Sequence, residues 1–455
     1  MANSASGETT KPIAEEERPR EYPCGSRGTL RAIRTDRFKA GQLTFSTVLP
    51  ITRENAVMAP LMLSVLRRGT ERYPALADIN RRLDDLYGSA LWVQCAYRGD
   101  RLILGFGMDL LDGSYLPEPV NLPEGLTEIL DQILYHPLLD DRGLLRKACV
   151  ESEKTLQRDE IRALRNVPAQ YAAAQARRIF YEGTPAGIPL YGTEEEVERV
   201  TAEQLTRYWN CWKQTVVPEC FYVGGDNPEK IAGTIGRVFD RAENRNAVPV
   251  LGLSDRPVIE KADKTRRVEE ELPVGQSHLV LGYRTGGVTV GHPEWAAAAL
   301  MTELLGMSPS SLLFRNVREK LSLCYSISAG YDAFRGALFV SCSLSAKNRE
   351  IAEAEILGQV AALCEGRFGN DELEAARQSL CGAYRQLGDR PASLESFWAG
   401  RAMAGVAETP AECRQRFAAL TRGDVIAAAR RLSLNTVYFL RGTAPEETID
   451  DSDEI

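Results

Sequence analysis

Histidine is the side chain that most often holds catalytic metals and moves protons at neutral pH, and this sequence contains three. His136, His278 and His292 lie far apart, and none has another histidine within five positions. A metal site made from two histidines one helical turn apart is therefore excluded in this chain. No GxSxG elbow accompanies any of them, so each is expected to be a packing or surface residue.

The cysteines are also isolated from one another. There are 10, scattered singly and without a CxxC pair. This usage predicts reduced, mostly buried thiols and argues against a disulfide framework or a zinc ribbon. A glycine-rich string at residues 283–291, YRTGGVTVG, lacks both the GKS/T ending and the GxGxxG spacing of phosphate-binding loops, which argues against nucleotide binding.

The composition is that of an ordinary globular protein long enough for two or three domains. The chain has 455 residues, 44% of them apolar and 26% charged, with a net charge of -8. This balance argues against a basic surface for nucleic acid. The longest apolar stretch with helical character, residues 56–66, is about half a bilayer span. No membrane helix or secretory signal is predicted, and we expect a cytoplasmic protein.

Hydrophobic periodicity and turn signals divide the first half into strands joined as hairpins and a later cluster of helices. A tight hairpin turn is predicted at Arg98-Gly99-Asp100. Strands are predicted at residues 30–34, 43–51, 89–97, 101–110 and 219–223. Helices are predicted at residues 55–67, 76–86, 125–135, about 141–165, about 169–180, 202–212 and 228–241.

The second half repeats the order of the first. Gly69 is matched by Gly306, and the hairpin pair Arg98-Gly99 by Arg335-Gly336, both at an offset of 237 residues. The flanking strand patterns overlay at the same offset. Sequence identity between the halves is low, but the shared order of elements favours an internal duplication over chance agreement.

These patterns predict an α+β protein of two tandem homologous domains. Each is a mostly antiparallel sheet with helices on one face, and the two close on one another like a clam around a chamber. The predicted boundaries are a disordered tail at residues 1–27, domains at 28–241 and 271–443 with a charged, proline-containing linker at 242–270 between them, and an acidic tail at 444–455.

Two long strings, LRRGTERYPALADINRRLDDLYGSALWVQCAYRGD and LLFRNVREKLSLCYSISAGYDAFRGALFVSCSLS, resemble the insulinase/pitrilysin class of zinc peptidases, whose signature is an inverted HxxEH helix. The resemblance extends over about residues 30–443. The chain is particularly similar to a bacterial group of zinc-less insulinase-like proteins associated with aminopentanol modification of elongation factor P.

The resemblance places the family's two histidines and catalytic glutamate at Pro60, Leu63 and Ser64, ahead of the Arg68-Gly69-Thr70 turn. None of these residues supplies an imidazole or a catalytic base. The string VESEKTLQRDEI matches the helix of the third zinc ligand and retains Glu153 and Glu160 on one face. One carboxylate without imidazole partners does not hold zinc at useful affinity, so we expect exposed, salt-bridged glutamates and no metal in this chain.

A second motif of the family is better preserved. Family members place an arginine and a tyrosine in a string like LREKxGLAYSVSA, and NVREKLSLCYSIS puts them at Arg318 and Tyr325. The resemblance implies that this pair contacts the bound peptide near its scissile carbonyl, where both groups can donate hydrogen bonds to the developing oxyanion. The alternative is a surface arginine in a salt bridge and a tyrosine that begins a strand. Leu321 and Ser322 stand where relatives often have glycine.

Several bacterial and organellar members of this family work as two subunits, only one of which holds zinc. The resemblance therefore implies a non-metal subunit that uses Arg318 and Tyr325 to bind an unfolded peptide beside an HxxEH-containing paralogue. The alternative is a catalytically inactive scaffold or peptide-binding protein with the same shell. Neither hypothesis predicts peptidase activity from the chain alone.

Overall fold

The computed structural model describes residues 18–118, 120–240, 252–253 and 258–445. Two sheets of six and five strands are each accompanied by helices, which confirms the predicted α+β architecture. The first half contains β1 (Arg20–Cys24), β2 (Gly28–Arg34), β3 (Ala40–Pro50), α1 (Arg53–Arg67), α2 (Leu76–Asp85), β4 (Ala90–Arg98), β5 (Arg101–Leu111), α3 (Leu122–Tyr135), α4 (Lys147–Ala163), α5 (Pro168–Phe180), α6 (Glu194–Glu198), α7 (Ala202–Thr215), β6 (Glu219–Gly224) and α8 (Pro228–Phe239).

The second half has the same order of core strands. It contains β7 (Arg266–Leu272), β8 (Ser277–Arg284), α9 (Trp295–Thr302), β9 (Ser326–Asp332), β10 (Ala337–Leu344), α10 (Arg349–Glu365), α11 (Asn370–Gln386), α12 (Pro391–Met403), α13 (Pro410–Ala419), α14 (Arg422–Arg430) and β11 (Ser433–Gly442). Two π-helical segments, Glu303–Met307 and Phe314–Lys320, lie between α9 and β9.

The strand order supports the duplication inferred from the sequence. The first sheet runs β1-β2-β6-β3-β5-β4 and the second β7-β11-β8-β10-β9, so the second repeats the first without β1. In each sheet one pair is parallel, β2 with β6 and β7 with β11, and the other pairs are antiparallel. Gly99 and Gly336, matched at the same offset, both adopt a φ of +58° in their hairpin turns.

Helix starts follow the capping residues in the sequence. Thr52 accepts a hydrogen bond from the Asn55 N–H at the start of α1, at 3.0 Å. Thr201 and Thr421 form capping boxes at α7 and α14. The predicted start of α4 near residue 141 is wrong, because Asp140 accepts the N–H groups of two following loop residues and holds a turn there.

Two predicted domain boundaries are wrong, because strands were not recognised in the charged sequences of the tail and the linker. The tail predicted at residues 1–27 contains β1, which pairs with β2 at the edge of the first sheet. The linker predicted at residues 242–270 includes the start of β7, which pairs with β11. Both strands are rich in charged residues because they lie at sheet edges, where backbone pairing requires no apolar side chains. Residues 1–17, 241–251, 254–257 and 446–455 lie outside the described residues.

Each sheet carries the helices of its own half on one face, as predicted. The opposite face receives a helix from the other half. Helix α5 places Phe180 against Phe339 of the second sheet, with ring centroids 4.9 Å apart. Helix α12 places Trp398 against Phe221 and Val223 of the first sheet. Burial of apolar surface on both faces therefore ties the two halves together. Among the described residues, no helix has the length and apolar character needed to cross a bilayer.

Candidate functional site

Helix α1 carries the three positions where the family resemblance implies metal ligands and a base. Pro60 and Leu63 are buried in the core of the first half, and Ser64 is half-buried. Pro60 has no side-chain donor atom, and Leu63 offers nothing that could activate water. The residues present do not fit a zinc ion with its attacking water.

Helix α4 packs against α1 through a buried amide. The Gln157 side chain donates to the backbone carbonyl of Val57 at 3.3 Å and to that of Tyr191 at 3.0 Å. One side chain thus joins α4, α1 and the loop before α6. These contacts fix the distance between the two helices without a metal, since a buried amide with both hydrogens satisfied is a stable structural bridge.

The two retained glutamates have different surroundings. Glu153 is buried and forms an ion pair with Arg68, which also donates to the Ser152 hydroxyl at 2.8 Å. The expectation of an exposed Glu153 is wrong, because its partner comes from the end of α1, 85 residues away in the sequence. Glu160 is exposed, as expected.

Glu160 lies beside a phenol and a thiol. Burial, together with the nearby Glu160 carboxylate, raises the pKa of Tyr191 to about 12 and the pKa of Cys95 to about 12. Both groups are therefore protonated at neutral pH. Within the described ranges, no three His, Cys, Asp or Glu side chains form a group that could hold a metal ion.

The three histidines have structural surroundings. His278 lies in β8 with its Nδ1 2.9 Å from the Ser343 hydroxyl, and burial lowers its pKa. The Nδ1 atom of His292 accepts the backbone N–H of Glu294 at 3.1 Å, just before α9. His136 ends α3, with its Nε2 3.5 Å from the Asp131 carboxylate. The Ser343 hydroxyl that faces His278 belongs to β10, directly opposite His278 in the second sheet.

Arg318 and Tyr325 are both exposed and lie on the two sides of one turn. Arg318 is in the last turn of the segment Phe314–Lys320, and its guanidinium stacks 4.7 Å from the centre of the Phe314 ring. The turn closes through a hydrogen bond from the Leu323 N–H to the Val317 carbonyl, 3.0 Å. The Tyr325 N–H donates to the backbone carbonyl of Ser343 at 2.8 Å, and this bond fixes the Tyr325 backbone just before β9. Tyr325 is 47% exposed.

The residues where relatives often have glycine shape this turn. Ser322 adopts a φ of +50°, the left-handed region that glycine occupies without strain. Leu321, beside it, is 44% exposed. The backbone at Ser322 therefore adopts a conformation that glycine occupies readily, within the turn that carries Arg318 and Tyr325.

Cys324, next to Tyr325, is a member of this site that the sequence reasoning missed. A hydrogen bond involving Cys342 and the nearby Arg318 guanidinium lower the pKa of its thiol, although burial opposes them. The Arg318 charge thus acts on the residue adjacent to Tyr325. The available signal was its position in the string NVREKLSLCYSIS, between the two candidate residues.

The geometry defines a duplicated α+β shell, in which Pro60, Leu63 and Ser64 occupy the positions that the resemblance assigns to the metal site. The Peptidase M16 inactive domain family matches residues 199–380. The chain is 26% identical to the probable inactive metalloprotease YmfF of Bacillus subtilis over 415 residues, which is 91% of this chain and 96% of that protein. The uncharacterized zinc protease YmxG of B. subtilis is 24% identical over 56% of this chain and 59% of its own length.

Solved structures share the fold. A conserved protein from Enterococcus faecalis V583 superposes with a TM-score of 0.81 at 23% identity, covering 95% of this chain and all of that one (100%). The peptidase M16 inactive domain from Pseudomonas fluorescens gives a TM-score of 0.75 at 15% identity, over 94% and 100% of the two chains.

The chain is thus similar to inactive-type metalloproteases of the M16 family, the insulinase/pitrilysin-type peptidases. The family resemblance predicted from the sequence is confirmed. The names of these relatives do not concern elongation factor P, so that closer grouping stays a prediction.

Proposed function

We propose that this chain is the non-metal subunit of a heterodimeric zinc endopeptidase in the cytoplasm, and that an HxxEH-containing paralogue supplies the zinc. Arg318 and Tyr325 bind the peptide and stabilise the oxyanion that forms in the partner's site. The supporting observation is that both side chains are exposed on one well-defined turn while the metal positions of α1 are filled by Pro60 and Leu63.

The chemistry of the turn suits this role. A guanidinium and a phenol donate hydrogen bonds to a carbonyl oxygen, and those bonds strengthen as negative charge develops on it. The Phe314 ring supports the Arg318 guanidinium on one face, which restricts the directions in which its N–H groups point. Donors held before the reaction need less reorganisation when the transition state forms.

The architecture supports a shared chamber. Helices α5 and α12 tie the halves of this chain together, and cavities of about 390 Å³ and 460 Å³ lie at their junction. Cavities of this size suit small groups better than an extended peptide. We therefore assign the peptide chamber to the space between this chain and its partner, with the Arg318 turn on its wall.

The alternative is a peptide-holding scaffold without proteolysis. Its support is the thorough loss of metal chemistry at Pro60, Leu63 and Ser64 and the name of the relative YmfF, a probable inactive metalloprotease. A scaffold would bind unfolded peptide with or without an HxxEH chain and would not accelerate hydrolysis.

The test is co-expression with an HxxEH paralogue encoded beside this chain, followed by peptide cleavage assays on the purified pair. Loss of one oxyanion donor typically lowers kcat by about 10²–10³. Arg318→Ala and Tyr325→Phe are expected to slow the pair markedly without dissociating it. Lys320→Ala, an exposed cation in the same helical segment, is the matched control and is expected to retain the rate. Unchanged rates in both variants would exclude the catalytic role and leave the scaffold.

A further inference from the structure

A cavity of about 460 Å³ at the junction of the two halves is lined by two arginines. Arg284 comes from the end of β8, and Arg335 from the β9–β10 hairpin. Tyr181, which follows α5, also lines the cavity, and its ring centre lies 5.6 Å from the Arg284 guanidinium and 5.2 Å from that of Arg335. Phe334 lines it as well. The cavity lies apart from the Arg318 turn and plays no part in the proposed catalysis.

Arg284 is a buried cation with no acidic partner among the described residues. It is 4% exposed, its Nη2 donates to the Phe180 carbonyl at 2.6 Å, and its guanidinium stacks 3.7 Å from the Phe180 ring centre. Its buried Nε–H has no hydrogen-bond partner, and no carboxylate in the described part of the chain forms an ion pair with it. Burial lowers the pKa of Arg284 to about 10. A buried charge of this kind is costly unless a counter-charge completes it.

Arg335 supplies a second donor to the same cavity. Its Nε donates to the Gly99 carbonyl at 2.7 Å, and its Nη1 lies 3.3 Å from the Asp332 carboxylate. Its Nη2 is buried without a hydrogen-bond partner. Each of the two lining arginines therefore carries one buried N–H group without a partner among the described residues, whereas buried polar groups in native proteins are nearly always paired.

The charge and polarity of the walls define the ligand. Asp100 is the acidic residue among those lining the cavity, and it lies 4.0 Å from the guanidinium of Arg101. Arg335 is paired with Asp332, so Arg284 is the lining cation that has no carboxylate partner among the described residues. The aromatic rings of Tyr181 and Phe334, with Val258 and Ile259, make the remaining wall largely apolar. A ligand that satisfies both surfaces is an anion with an apolar body.

We propose that this cavity binds a carboxylate between Arg284 and Arg335, with an apolar group of the same ligand against Tyr181 and Phe334. Guanidinium forks match the planar geometry of carboxylates. Two sources offer this chemistry, the C-terminal residue of a peptide and a free organic acid. The inference does not depend on the proposed function.

The test compares two probes that differ in charge, hexanoate and hexylamine, by calorimetry and by the shift in Tm of the full chain. Hexanoate is expected to bind and raise Tm, and hexylamine is not. Arg284→Lys and Arg335→Lys keep the positive charge but lose the guanidinium fork, and each is expected to raise the hexanoate Kd about tenfold. Arg178→Lys, on the exposed side of α5, is the control and is expected to bind like the wild type.

A hydrophobic dipeptide and its C-terminal amide distinguish the two sources. Binding of the free dipeptide more tightly than hexanoate, with loss of binding by the amide, assigns the site to peptide C-termini; the reverse order assigns it to organic acids. Three results would overturn the proposal. They are equal responses to hexanoate and hexylamine, wild-type binding by both arginine variants, and binding of inorganic phosphate in place of hexanoate.

Discussion

The Arg335 guanidinium donates to the backbone carbonyl of Gly99 at 2.7 Å, so the hairpin turn of the second half is joined to the equivalent turn of the first. Arg98, the residue matched to Arg335, donates to the Ser396 hydroxyl in the middle of α12 at 3.3 Å. The duplicated hairpins thus contribute to the attachment between the halves.

Substitution of Gly99 tests the contribution of this hairpin contact to the attachment between the halves. Its φ is +58°, and a Cβ there would lie 2.4 Å from Leu253. We expect Gly99→Ala to lower the free energy of unfolding by more than the roughly 1 kcal/mol that a left-handed alanine costs. Gly143→Ala is the control, because its φ is +76° and nothing lies within 4 Å of the added Cβ. Urea denaturation of both variants measures the difference, and equal losses would contradict a packing role for Gly99.

At Ser322, in contrast, we expect one substitution to raise the free energy of unfolding. Its φ of +50° strains a residue with a Cβ. Ser322→Gly relieves this strain but adds freedom to the unfolded chain, so we expect a gain between zero and about 1 kcal/mol. Ser322→Val is expected to cost at least about 1 kcal/mol, since β-branched residues tolerate this region least. A stabilising valine, measured by denaturant unfolding, would show that the turn is not left-handed in solution.

Much of the first half could be predicted because each strand and helix expresses its own periodicity. The edge strands β1 and β7 could not, since their charged sequences carry little apolar alternation, although Cys24 of β1 is buried in the first core. The packing of α5 and α12 across the halves was also beyond the sequence. An amphipathic helix shows which face it buries, but not against which sheet.

The candidate site, like the fold, could be predicted from the sequence only in part. The identities of Pro60, Leu63 and Ser64 alone excluded the metal chemistry of the family. The burial of Glu153 depends on Arg68, 85 residues away, and became visible only when α1 and α4 were packed together. Residue types thus indicate which reactions are excluded, whereas tertiary contacts determine how the remaining groups are paired.

Glu395 on α12 predicts a pH dependence of the junction. It is 7% exposed and accepts a hydrogen bond from the Thr44 hydroxyl on β3 at 3.1 Å. Burial raises its pKa, although Thr44 and Arg98 oppose the shift. The folded state therefore binds the proton more tightly than the unfolded state, whose carboxyl titrates near 4.5. The free energy of unfolding should therefore fall as the pH rises from about 4.5 through the pKa that Glu395 has in the folded state.

Glu395→Gln is expected to remove this decrease in the free energy of unfolding with rising pH, and to stabilise the chain near neutral pH. Asp424 is the control of opposite sign, because the Thr421 N–H and hydroxyl lower the pKa of its carboxyl. Its contribution is present at neutral pH and is lost as the pH falls through its folded pKa, so Asp424→Asn should flatten the acid side. Unfolding curves across the acid and neutral range measure both. An unchanged slope in Glu395→Gln would refute the assignment.

Cys324 reports on Arg318 without a partner protein. Arg318 helps lower the pKa of the Cys324 thiol, and the thiolate is the form that reacts with alkylating agents. Arg318→Ala is therefore expected to slow alkylation of Cys324 by iodoacetamide severalfold at neutral pH. Cys211, exposed on α7, serves as the internal reference in the same sample, read by peptide mass spectrometry. A proportional change at both cysteines would indicate a general effect rather than the loss of the nearby charge.

The filled metal positions of α1 give the last prediction. With Pro60 and Leu63 buried and Gln157 joining α4 to α1, the helix packing needs no ion. Chelator treatment should therefore leave Tm unchanged, whereas a structural zinc contributes directly to folding free energy. Elemental analysis of the chain purified alone should find no stoichiometric transition metal, and its peptidase activity should stay at background. Firmly held metal, or chelator-sensitive cleavage by the chain alone, would mean that donors other than those on α1 form the site.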